Sequence, residues 1–313
     1  MNAPALVLDN VVKRFGDFTA VDGLSFSVSR GEILGFLGPN GAGKTTTLRM
    51  ILEIAAPTSG LIDVLGSPSA IKVRHRIGYL PEERGLYRKM RAADTIAYFA
   101  SLRGVPGKEA KARARDLLGR FGLGAFARSR NEALSKGMAQ KVQLLATIAH
   151  DPELLILDEP FSGLDPINQA TLEDLIRALK AQGKTIIFST HTMQHAERLC
   201  DRFLILAHGR KQFEGTLAQA RRLFPPKLFV RTADDPSALA RAPGVVAITV
   251  KAEDGAAKEY AIDLEPGADP AAVLSAAFEA GVRMTRFEHA SASLHDIFVA
   301  LAGEDAAQEE SAA

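Results

Sequence analysis

One stretch constrains this chain more than any other: Gly38-Pro39-Asn40-Gly41-Ala42-Gly43-Lys44-Thr45, which fits the pattern G-x-x-x-x-G-K-[ST]. Glycines let a backbone curl until successive N–H groups aim at one point, and a helix starting there adds the positive end of its dipole. The apolar stretch from Glu32 to Leu37 reads as a strand entering the turn, and Lys44 to about Ala55 reads as a helix closed by Pro57. At average residue usage, a chance match somewhere in such a chain has a probability of about 1%. The strand–turn–helix context lowers it further. A turn of this kind cradles the phosphates of a nucleotide: Lys44 is expected to reach the β- and γ-phosphates and the Thr45 hydroxyl to ligate Mg²⁺, with Thr46 counted among the phosphate-binding residues.

A second stretch, Leu154-Leu155-Ile156-Leu157-Asp158-Glu159-Pro160, is an apolar strand ending in two carboxylates. A buried parallel strand delivers its last residues to the carboxyl edge of the sheet, where phosphate and metal sit in such folds. Asp158 is therefore expected to hold Mg²⁺ through a water. Because neighbours on a strand point oppositely, Glu159 is expected to face the γ-phosphate and to orient or deprotonate the attacking water. Taken alone, the pair would also fit two solvated carboxylates at a loop start; beside a phosphate-binding turn the catalytic reading takes precedence. The next strand, Thr185 to Ser189, runs into Thr190-His191. A histidine there can donate to a γ-phosphate oxygen and sense its presence, or simply cap a helix. His191 and His195 also have the i,i+4 spacing of a metal pair, but no third ligand lies in the segment.

The 313 residues suffice for two domains. Lys and Arg (38) nearly balance Asp and Glu (37), so no basic field argues for nucleic acid as a partner. The single cysteine, Cys200, allows no disulfide within the chain, fits a reducing cytoplasm, and reads as a small buried thiol on a helix. Met1-Asn2-Ala3-Pro4 lacks the basic start of a secretory signal, and no apolar run approaches the roughly 18 residues of a membrane span.

Alternating residues from about 5 to 30 read as short strands. Residues from about 92 to 123 read as helical, with Leu117, Leu118 and Phe121 on one face of Lys108 to Phe121; its basic residues most simply make a solvated face, with a docking or nucleic-acid role as the alternative. A helix from about Asn168 to Gln182 separates two apolar strands, which implies a mostly parallel α/β sheet. The character changes near Pro225-Pro226, and the order beyond is β-α-β-β-α-β, a ferredoxin-like pattern with a closing helix from about Leu294 to Leu301. The expected domains are 1–222, with a helical subdomain at about 92–150, then an α+β domain at 227–303 and a disordered tail at 304–313.

Two further motifs complete an ordered set: Leu134-Ser135-Lys136-Gly137-Met138 before Asp158, and Ser162-Gly163-Leu164-Asp165 after it. With the phosphate turn, the carboxylate strand and His191, they resemble the ABC transporter ATPases over about residues 5 to 220. The resemblance implies a P-loop NTPase core with an N-terminal antiparallel β subdomain, ATP and Mg²⁺ as cofactors, and ATP hydrolysis coupled to transport, with export favoured and the cargo open. It implies a second copy of the chain as partner, in an ATP sandwich. It also implies an integral-membrane permease, which would hold the chain at the cytoplasmic face of the membrane. It places Phe15 on the adenine ring, with an ordinary core residue as the lesser alternative. Glu82 stands where the family has glutamine, contacting Mg²⁺ and water. Ser135 and the Gly137 N–H would touch the γ-phosphate held by the opposite copy, and Asp165 would align the two.

Lys136 and Met138 depart from the family's Leu-Ser-Gly-Gly-Gln, and Glu82 adds a charge. The region around Leu294-His295-Asp296-Ile297-Phe298 looks like the extension of sodium-efflux and drug-export ATPases. Two other readings stand beside this one. A soluble ABC ATPase acting on ribosomes or DNA is disfavoured by the single cassette and the absence of heptads. A catalytically silent ATP sensor is disfavoured by the retention of Glu159 and His191.

Overall fold

The computed structural model describes residues 3–303 except 84, 191, 225–226, 255–256, 266 and 291. His191, the Pro225-Pro226 boundary and the tail at 304–313 therefore lie outside the described residues. The chain divides into two units, Met1–Thr216 with the stretch from Phe298 onward, and Leu217–Ile297.

In the first unit, alternation along β1 (Leu6–Phe15) and β2 (Phe18–Val28) buries one face and leaves the other to solvent. The two pair as an antiparallel hairpin. After β3 (Ile33–Leu37), β4 (Ser59–Val64) returns to the free side of β1, giving a three-stranded sheet in the order β2-β1-β4. The second sheet adds β5 (Ile77–Leu80), β6 (Leu154–Asp158), β7 (Thr185–Thr190), β8 (Arg202–Ala207) and β9 (Arg210–Gly215) in the order β5-β6-β7-β3-β8-β9. Its strands are parallel up to β8, and only β9 runs antiparallel. Every residue of β3, β6 and β7 is buried, which is why these strands read as unbroken apolar runs. One core joins the two sheets through Leu6, Phe26, Phe36, Leu48 and Ile156.

Three helical expectations need correction. The helix from Lys44 ends at Ile51 rather than near Ala55, because Glu53 turns left-handed at φ 57 and Ile54 and Ala55 bond back to the Arg49 carbonyl. The helical stretch from 92 is two helices, Ala92–Leu102 and Gly107–Arg120, divided where Gly104 turns to φ 95 ahead of Pro106. The second buries Ala110, Ala114 and Leu118, whereas Leu117 and Phe121 are only half-buried: small residues at i,i+4 spacing let it pack closely. Cys200 sits past the end of the helix Met193–Leu199 in extended backbone, half-buried rather than buried. Its thiol is nevertheless buried, as expected, and burial pushes its pKa up; it packs close to Gly35, where a Cβ would lie 2.7 Å from the sulfur. Among the described residues no helix is long and apolar enough to cross a membrane.

His150, between the helix Lys136–Ile148 and β6, is held neutral. Burial pushes its pKa down to about 4, against the opposing effect of its bond to the Ile77 carbonyl. Its Nε2 donates to that carbonyl at 3.0 Å, while Nδ1 is buried with no partner, so a second proton would have no acceptor. The folded state thus binds fewer protons than the unfolded chain between pH 6.5 and about 4. Stability from this residue is intact above pH 6.5 and falls as pH drops through that window, by at most about 1.4 kcal/mol per pH unit. His150→Gln keeps a donor for Ile77 and cannot titrate. Chemical unfolding across the window is expected to show a shallower loss in that variant, and an unchanged slope would contradict it.

The second unit carries β10 (Lys227–Thr232), a short helix Ser237–Ala240, β11 (Val245–Asp254), β12 (Ala257–Leu264), the helix Pro270–Glu279 and β13 (Met284–Ala290). The strands are antiparallel in the order β11-β12-β10-β13, the ferredoxin-like arrangement expected from the order of elements. Leu228, Val230, Ile262, Val273 and Ala277 form its core. The helix Leu294–Ala302 follows.

Candidate active site

Parallel pairing fixes what meets at the carboxyl edge of the large sheet. Asp158 of β6 lies opposite Ser189 of β7, and Leu37 of β3 lies opposite Thr190 of β7. At the usual spacing of about 4.8 Å between strands, the turn after β3 and the carboxylates after β6 emerge roughly 10 Å apart, with the end of β7 between them. That gap suits a triphosphate and its counter-ion.

The turn itself is dictated by close approach. A Cβ on Gly38 would lie 2.4 Å from the Leu206 carbonyl, and Gly43, at φ 101, would bring one within 2.5 Å of the Ala20 carbonyl. Only glycine fits at either place. Ala42 N–H donates to the Pro39 carbonyl at 3.2 Å, tightening the curl, while Asn40 and Gly41 face solvent. Lys44 is buried, and its Nζ is drawn over the turn to the carbonyls of Gly38 and Pro39, the latter at 3.1 Å. Thr45 and Thr46 are half-buried in the first turn of the helix.

Asp158 is 2% exposed and accepts a hydrogen bond from the Ser189 hydroxyl. Burial raises its carboxyl above the ordinary range; the Ser189 bond and the charge of Lys44 oppose that, and the charge of Glu159 adds to it. Glu159 is not on the strand. β6 stops at Asp158, and Glu159 takes a left-handed φ of 45, so strand alternation is not what separates the two carboxylates. Its N–H donates to both the carbonyl and the hydroxyl of Ser189, each at 3.2 Å. Glu82, Asp158, Glu159, Gln140, Gln143 and Ser162 are among the residues that line a polar cavity of about 40 Å³. Sequence reasoning passed over three neighbours. Ser189 holds the Asp158 carboxylate and the Glu159 backbone N–H, and Gln140 donates to the Pro160 carbonyl. The Tyr79 hydroxyl is pushed up to about 12 by burial, with the Asp158 charge adding to it. Each sits within a few residues of a motif, Tyr79 before Glu82, Gln140 after Met138 and Ser189 before His191, but at a position to which no motif gives a role.

Ser135 and Gly137 do not line that cavity. Ser135 caps the helix Lys136–Ile148, its side chain accepting from Met138 N–H at 3.2 Å. Asp165 caps the helix Pro166–Ala181, accepting from Asn168 N–H at 3.0 Å, and those Asn168 bonds hold its carboxyl below the ordinary range. The two caps adjoin: a Cβ on Gly137 would lie 2.8 Å from the Asn168 amide. One chain therefore presents two clusters, the phosphate turn with its carboxylates and the Ser135–Gly137–Asp165 group. Phe15, at the tip of the β1–β2 hairpin, is 55% exposed with Lys13 Nζ 4.9 Å above its ring, which rules out a core role. The partner of His195 is Glu173, whose Oε1 lies 2.8 Å from its Nδ1.

Residues 21–162 match the ABC transporter family, and residues 215–302 match the C-terminal domain of DrrA1-3-like ATP-binding proteins. An uncharacterized ABC transporter ATP-binding protein of Bacillus subtilis, YhaQ, is 39% identical over 95% of this chain and 98% of its own. The chain belongs to the ABC transporter ATP-binding proteins. Nod factor export ATP-binding protein I of Burkholderia orbicola is 36% identical over 97% of this chain and 99% of its own. A solved ATP-binding subunit of an ABC transporter superposes with a TM-score of 0.65 at 34% identity, covering 70% of this chain and 93% of that one. The cbiO1 protein of Clostridium perfringens, part of the transporter complex cbiONQ, superposes at 0.63 with 25% identity, covering 71% and 94%. As an ABC ATPase subunit, the chain binds nucleotide and hydrolyses ATP.

Proposed function

We propose that two copies of this chain sandwich two ATP molecules, each phosphate turn facing the other copy's Ser135 and Gly137, and that closure and release of the pair drive a membrane permease. The observation that carries this is the division of the site within one chain. The phosphate turn and carboxylates form one cluster, while the Ser135–Gly137–Asp165 group stands outside their cavity at a helix N-terminus that suits a phosphate. A two-fold pairing gives each nucleotide both halves.

Within each site Gly38 to Gly43 wrap the phosphates with backbone N–H groups. Lys44 exchanges the carbonyls of its own turn for β- and γ-phosphate oxygens, and Phe15 stacks on adenine. The residues fit Mg²⁺: Asp158 is a buried carboxylate whose charge is disfavoured without a cation, and Glu82 lines the same cavity; the Thr45 hydroxyl would join them as a ligand. No group of three or more His, Cys, Asp or Glu forms a metal cage among the described residues, and Mg²⁺ needs none, since it keeps most of its waters. When bound, it would offset negative charge on the β- and γ-phosphates. Glu159 orients the attacking water and takes its proton, and His191 senses the γ-phosphate.

Residues 1–222 carry this chemistry and 227–303 form an accessory domain. The chain sits at the cytoplasmic face of the membrane by docking on the permease. Export is the direction that the relatives' Nod factor names favour. ATP is expected to convert Glu159→Gln protein from monomer to dimer in size-exclusion chromatography with light scattering. A monomer that has bound ATP would rule the sandwich out.

A further inference from the structure

Glu159 adopts a left-handed backbone at φ 45, which costs a residue other than glycine on the order of 1–3 kcal/mol and persists only where the surroundings over-determine it. The loop it opens is held at three points. Ser189 accepts the Glu159 N–H, Gln140 binds the Pro160 carbonyl, and Phe161 is wedged between two rings. One of those rings is Phe188 of β7, met edge-on at 6.0 Å between centroids. The other is His195, stacked face to face at 4.0 Å and 9°.

The imidazole is itself fixed. His195 is 4% exposed, and a carboxylate can only accept, so Nδ1 carries the proton toward Glu173 Oε1 at 2.8 Å. Glu173 is equally buried and is balanced by Arg177 at 3.1 Å and Arg198 at 3.3 Å. This is a buried pair outside the residues that line the cavity of Glu159. Its ring nevertheless lies flat against the residue two positions after the hydrolytic carboxylate.

We propose that His195 is a positioning residue for Glu159: Glu173 holds the imidazole, the imidazole holds Phe161, and Phe161 keeps the loop in the strained turn that aims the Glu159 carboxylate. This rests on the reading of Glu159 as the group that activates water. Released from its plate, Phe161 can move away from Phe188 and the loop can relax toward an ordinary conformation. A misplacement of about 1 Å in a catalytic group costs up to roughly 10²-fold in rate. Nucleotide binding, set by the turn after β3, is left alone.

The test is steady-state ATPase kinetics and nucleotide affinity on the purified full chain carrying His195→Ala, His195→Phe or Glu159→Gln. His195→Ala is expected to lower kcat about 10-fold or more with KM and ATP affinity unchanged. His195→Phe, which restores a flat ring against Phe161 while Arg177 and Arg198 still balance Glu173, is expected to recover most of that loss. Wild-type kcat in His195→Ala overturns the proposal, as does a His195→Phe protein no better than alanine, or a rise in KM that matches the fall in kcat. Should His195→Ala not fold, His195→Gln takes its place. It offers Glu173 a donor but Phe161 no ring, so it is expected to lose rate as alanine would, and full activity in it also overturns the proposal. Full turnover in Glu159→Gln would instead mean that the reading of Glu159 is at fault. Loss there alongside a fully active His195→Ala sinks only the positioning role.

Discussion

Glu159→Gln protein is expected to bind ATP as tightly as the unsubstituted chain and to turn it over about 10²–10⁴ times more slowly. Glutamine keeps the size and the left-handed turn but cannot take a proton from water. The cavity that Glu159 shares with Asp158 and Glu82 is small, so no bulk base can stand in for the missing carboxylate. Binding is expected to survive for an electrostatic reason. The Glu159 charge helps raise the Asp158 carboxyl above the ordinary range, and removing it leaves Asp158 readier to stay ionised beside a cation. Single-turnover hydrolysis and nucleotide titration on the same preparation separate the two effects. Unaltered turnover would remove Glu159 from the chemistry.

What the sequence made legible follows from how local the forces are. The phosphate turn could be read because its glycines answer to backbone contacts that no other residue allows, with Leu206 and Ala20 carbonyls pressing on Gly38 and Gly43. The central strands could be read because burial on both faces leaves each an apolar run, with polar residues only towards the strand ends. The helix Lys136–Ile148 was read only as part of a helical subdomain at about 92–150, not as an element with its own bounds, and its buried face shows why. Gln140, Gln143 and Thr147 are buried there beside Val142 and Leu145, so the apolar period is masked by side chains that bond to β5 and to the loops after β5 and β6. The β8–β9 hairpin was also missed. Its two-residue turn, His208-Gly209, takes positive φ at both positions, as a type I′ turn requires, but with histidine where asparagine or aspartate would have signalled it.

Two site residues show the other limit. Glu159 was placed beside the phosphate by strand alternation, yet it lies beyond the strand and is aimed by a backbone turn that its identity does not announce. The spacing of His195 from His191 suggested a metal pair. Its actual partner is Glu173 on another helix, a long-range contact with no local trace.

Lys44→Ala is expected to weaken ATP binding by roughly 10²–10⁴-fold, from the loss of two charge-assisted bonds to phosphate at about 1.5–3 kcal/mol each. The amine is buried over the turn, already aligned by the carbonyls of Gly38 and Pro39, so little ordering opposes its capture of phosphate oxygens. The side chain also helps shape the empty turn, and thermal unfolding without ligand must therefore be measured beside affinity. Nucleotide that binds only the folded state stabilises it by about 2.7 kcal/mol at a hundred times its Kd. ATP is thus expected to raise the melting temperature of the unsubstituted chain and of Glu159→Gln at a concentration that leaves Lys44→Ala unmoved. Equal ATP-dependent shifts in all three would show that the triphosphate is gripped somewhere other than the turn after β3.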